Sequence, residues 1–270
     1  MIRIAVLGAT GRMGQMLVRL IADTAGLELV GAASEPGHAR LGDDAGRVAG
    51  VDELGVAVTD DPSAAVAGAD VAIDFTLPAA AVGNIAACVE HGVALVMGTT
   101  GLSAEQQALL GDAAGKIALV YGRNMSIGIN VISELVRLAS RTLGDDYDIE
   151  VIEAHHRYKI DAPSGTALQL GEAAASGRGV HLDDVAVSGR DGPGEPRQTG
   201  AIGFASIRAG RIVGDHTVMF AADEEIVELR HRALDRAVFA RGALRAAAWV
   251  GDRPPGLYSM GDVLGFSTRA

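Results

Sequence analysis

Apolar positions in the first half of the chain alternate between two periods. Ile2–Leu7 is a short, mostly apolar run of the kind a strand buried on both faces needs, and Met13, Met16, Leu17, Leu20 and Ile21 then recur along one helical face. Leu27–Ala33 and Val71–Phe75 read as further strands. Pro78 opens a helix running to about His91, and Val93–Met97 is the next strand. Ser103 with Gln106 forms a capping box before another helix, and Ile117–Tyr121 closes the series. Strands alternating with helices predict an α/β fold, a Rossmann-like doubly wound parallel sheet.

Beyond about Ser126 the pattern changes. A long helix, Ile129–Leu143, precedes segments that read mainly as strands: Ile149–Ala154, Val185–Val187, Ala201–Arg208, Arg211–Phe220 and Ile226–Arg230. A helix starts near Ser164, and Gly189–Pro196, dense in Gly and Pro, reads as a surface loop. From about Ala233 a helix runs to Val250. These segments predict an α+β domain with a mixed sheet over 127–236. The dinucleotide-type domain then spans 1–126 and is completed by 237–270.

Composition narrows the function. The 270 residues are 49% hydrophobic and 21% charged, a globular balance, and no apolar run approaches the ~20 residues of a membrane span. The N-terminus enters a strand at once, which does not suit a signal peptide, so a soluble cytoplasmic protein is expected. A single cysteine, Cys88, rules out an internal disulfide and a multi-cysteine metal cage. The net charge of -11 has the wrong sign for nucleic acid or an anionic membrane.

Gly8-Ala9-Thr10-Gly11-Arg12-Met13-Gly14 lies between the first strand and the first amphipathic helix. Glycines there allow a tight turn and bring backbone N–H groups to a pyrophosphate at a helix N-terminus. The spacing is GxxGxxG rather than GxGxxG, with Thr10 where a glycine is usual. Glu35, after the second strand, is placed to bond an adenosine ribose. Its carboxylate repels a 2′-phosphate while Arg12, His38 and Arg40 offset that repulsion, so NADH is favoured slightly over NADPH. Gly98-Thr99-Thr100-Gly101 and Gly122-Arg123-Asn124-Met125 follow strands on the same expected edge of the sheet.

Glu150 to Ala167 carries the chemistry. His155, His156, Arg157, Tyr158 and Lys159 stand together directly after a strand, a basic cluster in an acidic protein that favours a small anionic ligand. Histidine and a partly desolvated lysine suit acid–base work. Pro163-Ser164-Gly165-Thr166 reads as a helix N-terminus able to hold a carboxylate. Glu153 and Asp161 are read as groups that orient the basic side chains. A metal site is disfavoured, because adjacent strand residues point to opposite faces and no third ligand is spaced for it.

Gly8-x-x-Gly11-Arg-Met-Gly14, Ile73-Asp-Phe-Thr76, Gly98-Thr-Thr-Gly101, Ala209–His216 and above all the run from Glu150 to Ala167 resemble the 4-hydroxy-tetrahydrodipicolinate reductase family, formerly dihydrodipicolinate reductase. The resemblance covers essentially the whole chain. It implies an NAD(P)H-dependent oxidoreductase of lysine and diaminopimelate synthesis that reduces a cyclic dicarboxylate with loss of water, and a homotetramer built through the middle sheet. On matching positions it implies His155 and Lys159 as proton carriers and His156, Gly165 and Thr166 as substrate-binding. Gly8 to Met13, Glu35, Gly98 to Thr100 and Gly122 to Met125 would bind the dinucleotide. The sequence departs from the family's pattern in two places: Pro36 stands where an arginine often follows the ribose acid, and Arg123 and Met125 flank the hinge asparagine in place of small residues and Phe. An amine or amino-acid dehydrogenase shares the expected architecture but gives no reason for the His-His-Arg-Tyr-Lys cluster. A dinucleotide sensor without catalysis is a further alternative.

Overall fold

The computed structural model describes residues 1–266, in two compact units, one of Met1–Ile127 with the segment from Ala237 onward, the other of Gly128–Arg236. Residues 267–270, the end of the first expected domain, lie outside the described residues.

In the first unit β1 (Ile2–Leu7), α1 (Arg12–Ala22), β2 (Leu27–Ala33), α2 (Ala45–Ala49), β3 (Val58–Thr59) and α3 (Pro62–Val66) build outward from the middle of a sheet. β4 (Val71–Asp74), α4 (Pro78–His91), β5 (Ala94–Met97), α5 (Ala104–Ala114) and β6 (Ala118–Tyr121) then build the other way. The strand order β3-β2-β1-β4-β5-β6 is parallel throughout. The chain reverses its direction of growth between β1 and β4, the switch point where ligands of such sheets bind.

Burial on both faces explains the largely apolar strands. Ile4 and Val6 of β1 point into one core with Leu17, Val18 and Ile21 of α1, while Ala5 and Leu7 point into the other with Ile85 of α4 and Leu110 of α5. Cys88 belongs to that second core, and burial, with the charge of Asp74 adding, pushes its thiol up to about 12. It is an inert packing residue. The expected stops are present: Pro78 is at the first turn of α4, and Ser103 and Gln106 cap α5 reciprocally.

The second unit begins within α6 (Ile127–Leu143) and continues through β7 (Asp148–His155), α7 (Gly165–Arg178), α8 (Leu182–Val185), β8 (Ala186–Ser188), β9 (Ile202–Arg208), β10 (Gly214–Ala221) and β11 (Ile226–Ala233). Its sheet, β11-β10-β7-β9-β8, is mixed. β10 pairs antiparallel with β7 and β11, and β9 runs parallel to β7 and β8. Ile149, Val151, Val218, Phe220, Ile202 and Phe204 form one face of that sheet, packed with Val136 of α6 and Leu170 and Ala174 of α7. The Gly189–Pro196 segment carries no helix or strand, and Arg190 within it and Arg197 directly after it pair with Glu150.

The chain returns to the first unit as α9 (Ala237–Val250), β12 (Gly256–Tyr258), which extends the parallel sheet beside β6, and α10 (Met260–Leu264). Several expected boundaries move. β10 starts at Gly214 rather than Arg211, because Gly210 at positive φ turns the chain before it. β11 continues to Ala233 because β10 offers partners that far, which delays the last long helix to Ala237. The segment read as a strand from Val185 is first a short helix and then β8. α2, α3, β3, β12 and α10 are each five residues or fewer and too short to show a period.

Candidate active site

In the first unit the ends of β1, β2, β4, β5 and β6 share one edge of the parallel sheet. Gly8 leaves β1 at φ +82°, and Gly11 N donates to Gly8 O at 3.0 Å to close the turn. A Cβ on Gly14 would lie 2.0 Å from Gly8 O, so only glycine lets α1 start this close to the turn. Gly11 is the N-cap of α1 without a side-chain cap, and the first turn holds no acid. An uncapped helix start behind a glycine turn fits a pyrophosphate in charge and shape.

Around this turn Ala9 is buried with its N–H on Ala33 O at 2.8 Å, and the Thr10 and Ser34 hydroxyls meet at 2.6 Å. Arg12 and Glu35 are exposed. Arg40 is held by Asp43 at 2.9 Å. Met13 and Met125 pack in or against the core of this unit. Thr99 is buried and Thr100 exposed. Gly122 N donates to Met97 O at 3.2 Å, Asn124 Oδ1 accepts from Ser126 N at 2.8 Å, and Arg123 is exposed.

In the second unit the inward positions of β7 change from apolar to polar along the strand: Ile149, Val151, Glu153, His155. The Glu153 side chain is 1% exposed. It receives Arg208 at 2.8 and 2.7 Å from the end of β9, His155 Nδ1 at 2.6 Å and Ser164 N at 3.2 Å. Burial alone would raise this carboxyl, but the hydrogen bonds from Arg208, His155 and Ser206 outweigh it and hold it down at about 2. Burial also lowers His155, against the opposing pull of Glu153, so the ring is neutral at neutral pH. A neutral imidazole donating from Nδ1 keeps its lone pair on Nε2. Gly214 keeps that atom uncrowded, since a Cβ there would come within 3.1 Å of it.

Ser164 caps α7 by accepting from Ala167 N at 3.1 Å, and its hydroxyl lies 3.2 Å from His216 Nε2. His216 stands edge-on to His155 with centroids 5.0 Å apart, and burial, with the His155 charge second, lowers it to about 4. Gly165 and Thr166 begin α7, whose first-turn N–H groups point out of the helix end. Lys159 pairs with Asp161 at 2.9 Å, and Lys159 N donates to His156 O at 3.1 Å. Burial would raise the Asp161 carboxyl, but the Lys159 hydrogen bond holds it below the usual range. Tyr158 is exposed.

The family model described as the N-terminus of dihydrodipicolinate reductase matches residues 2–125, and the model for its C-terminus matches residues 128–264. The chain belongs to the dihydrodipicolinate reductase family. A relative from Alkalilimnicola ehrlichii is 54% identical over 97% of this chain and 98% of its own length, and one from Ruegeria pomeroyi is 55% identical over 97% of each; both are named 4-hydroxy-tetrahydrodipicolinate reductase. Among solved structures, the dipicolinate-bound dihydrodipicolinate reductase from Paenisporosarcina sp. TG-14 superposes with TM-score 0.73 at 25% identity, over 96% of this chain and 97% of that one. An amine dehydrogenase from Mycobacterium smegmatis shares the fold, with TM-score 0.63 at 15% identity over 96% and 95% of the two chains.

Membership in the dihydrodipicolinate reductase family accounts for the fold and for a nicotinamide cofactor. Sequence reasoning gave no role to Asp74, Arg208, Gly214 and His216. For His216 a signal existed, because it falls on the inward register of β10 with Val218 and Phe220 and is polar. For Arg208 there was none, since only the pairing of β9 with β7 sets it opposite His155.

Proposed function

We propose that this chain is a 4-hydroxy-tetrahydrodipicolinate reductase. It reduces (2S,4S)-4-hydroxy-2,3,4,5-tetrahydrodipicolinate to 2,3,4,5-tetrahydrodipicolinate and water with NADH or NADPH, in lysine and diaminopimelate synthesis. The observation that carries this reading is the Glu153–His155 pair beside the N-terminus of α7, in a chain more than half identical to relatives of that name over nearly its whole length.

Gly8 to Met13, with Glu35, Gly98 to Thr100 and Gly122 to Met125, hold the dinucleotide, mostly through backbone groups. Exposed Glu35, Pro36 beside it and an Arg40 already paired with Asp43 favour NADH over a 2′-phosphorylated cofactor. When bound, the reduced nicotinamide supplies a hydride to the C=C–C=N system that loss of water leaves in the substrate. Overall one hydride and one proton enter and one water leaves.

The chain's own residues manage the carboxylates and the protons. His156 and the N–H groups of Gly165 and Thr166 hold the substrate carboxylates, and the helix start favours their charge. Negative charge passes toward the ring nitrogen as the hydride arrives, and His155 and Lys159 exchange the protons that balance it. Glu153 fixes His155 with its proton on Nδ1, so Nε2 is the atom that gives and takes. Asp161 restrains Lys159.

The sheet of the second unit supports a homotetramer. On the face away from its helices Ile207 and Ile226 are exposed and Ile152 and Met219 are half-buried. Light scattering is expected to give four chains. No helix of the described residues is long and apolar enough to cross a membrane, and we assign the enzyme to the cytoplasm with the rest of amino-acid biosynthesis.

The test supplies substrate from pyruvate and aspartate semialdehyde through the upstream synthase and follows loss of reduced-nicotinamide absorbance. Oxidation that depends on the synthase product is expected, with kcat/KM greater for NADH than for NADPH. Absence of oxidation by protein that binds either nucleotide would overturn the reading.

A further inference from the structure

Asp74 ends β4 between β1 and β5 and is completely buried. A carboxyl group there loses its hydration and needs donors to replace it. It has four: Thr76 N at 2.8 Å, Thr76 Oγ1 at 2.7 Å and Thr99 Oγ1 at 2.9 Å on one oxygen, and Asn84 Nδ2 at 2.9 Å on the other. All four are neutral. The donors come from three places: the turn after β4, the helix α4 and the loop after β5. Asn84 reaches Thr76 Oγ1 as well, at 3.2 Å, and Thr99 reaches Thr76 O at 3.3 Å. Thr76 in turn packs against the glycine turn, because a Cβ on Gly8 would lie 3.0 Å from its methyl. One carboxyl group therefore fixes the relative positions of the segments that leave β4 and β5, next to the segment that leaves β1.

A core without this duty would be filled with apolar side chains, as the rest of β4 is. We propose that Asp74, with Asn84, is a positioning residue for the nicotinamide half of the dinucleotide, setting the loops at Thr76 and at Gly98 to Thr100 into the one arrangement that accepts it. This rests on the dinucleotide reading of the first unit. It assigns Asp74 no contact with the cofactor and no proton. The pyrophosphate and adenosine end is built independently, by the turn at Gly8 to Gly11 and the residues after β2, so damage at Asp74 separates the two halves.

Binding of NADH and of ADP-ribose, which lacks the nicotinamide, is measured by fluorescence titration and calorimetry on the wild type, Asp74→Asn, Asn84→Asp and the Asp74→Asn/Asn84→Asp exchange. Asp74→Asn turns one acceptor into a donor facing the Asn84 amide. We expect it to raise the Kd for NADH at least tenfold and that for ADP-ribose by less than twofold, and the exchange to recover most of the NADH affinity. Should Asp74→Asn fail to fold, Asn84→Leu removes the donor to the second carboxyl oxygen at similar volume, at a residue not placed against the cofactor, and is expected to show the same selective loss, several-fold in size. Equal weakening of both ligands, or unchanged NADH binding in a folded variant, would overturn the proposal. A wild type that binds neither ligand would remove the dinucleotide reading itself, and the inference with it.

Discussion

Two acidic side chains are buried among the described residues, both at or near the ends of strands, and they are held in opposite ways. Asp74 in the parallel sheet is surrounded by hydroxyl, amide and backbone donors, none of them charged. Glu153 in the mixed sheet is gripped by a guanidinium and an imidazole. Neutral donors give fixed distances and nothing that titrates near neutrality, which suits a scaffold for a cofactor. A charged partner and a histidine give a group whose proton is controlled, which suits acid–base chemistry. The same kind of residue at the end of an apolar strand thus has two uses, decided by what the neighbouring elements bring to it.

The largest effect should come from removing the proton carrier. His155→Gln is expected to lower kcat about 10³-fold, within the usual range for a lost general acid or base. Unchanged turnover in steady-state assays would leave the second carboxylate with nothing to control. Glu153→Gln should lower kcat about 10²-fold by freeing the tautomer, and should cost about 3 kcal/mol in denaturant unfolding because Arg208 stays partly buried without its partner. The comparison breaks if Glu153→Gln loses stability and keeps its turnover, for Glu153 would then be a scaffold residue like Asp74.

The difference between the two sites was only partly legible in the sequence. Both acids stand in plain view, at the ends of Val71-Ala-Ile-Asp74 and Ile149-Glu-Val-Ile-Glu153, and apolar periodicity placed both strands. The partners were not legible, because they come from strand pairings and helix contacts distant in sequence: Arg208 lies 55 residues from Glu153, and Thr99 lies 25 from Asp74. The glycine turn, the Ser103 capping box and the His155 to Thr166 run were readable because each works through neighbours a few residues away. Short elements such as α3 and β12 were missed for the converse reason, since they are held by packing rather than by their own period.

Smaller effects sharpen the contrast. Ser164→Ala removes the α7 cap and the partner of His216, and should lower stability by about 1 kcal/mol, read as a fall of about 3 °C in Tm. An unchanged Tm would mean that the cap is not holding this end of the helix. The last effect is on pH dependence. His216 is pushed down from 6.5 to about 4, so the folded state binds its proton less readily than the unfolded chain. Its contribution to stability is whole above pH 6.5 and is lost as the pH falls toward about 4. Glu153 gives up its contribution only lower, between its ordinary 4.5 and about 2. Tm measured across the upper window should fall less steeply in His216→Gln than in the wild type, and equal slopes would place the acid sensitivity elsewhere.

Glu153 holds His155 as the Nδ1–H tautomer, and the acid–base chemistry depends on it. Long-range ¹⁵N–¹H spectra of histidine-labelled protein at neutral pH, assigned by comparison with His155→Gln, read this directly. A protonated Nδ1 and an unprotonated Nε2 are expected for His155, changing to a tautomer mixture in Glu153→Gln. A proton on Nε2 in the wild type, or the same spectrum with and without Glu153, would contradict it.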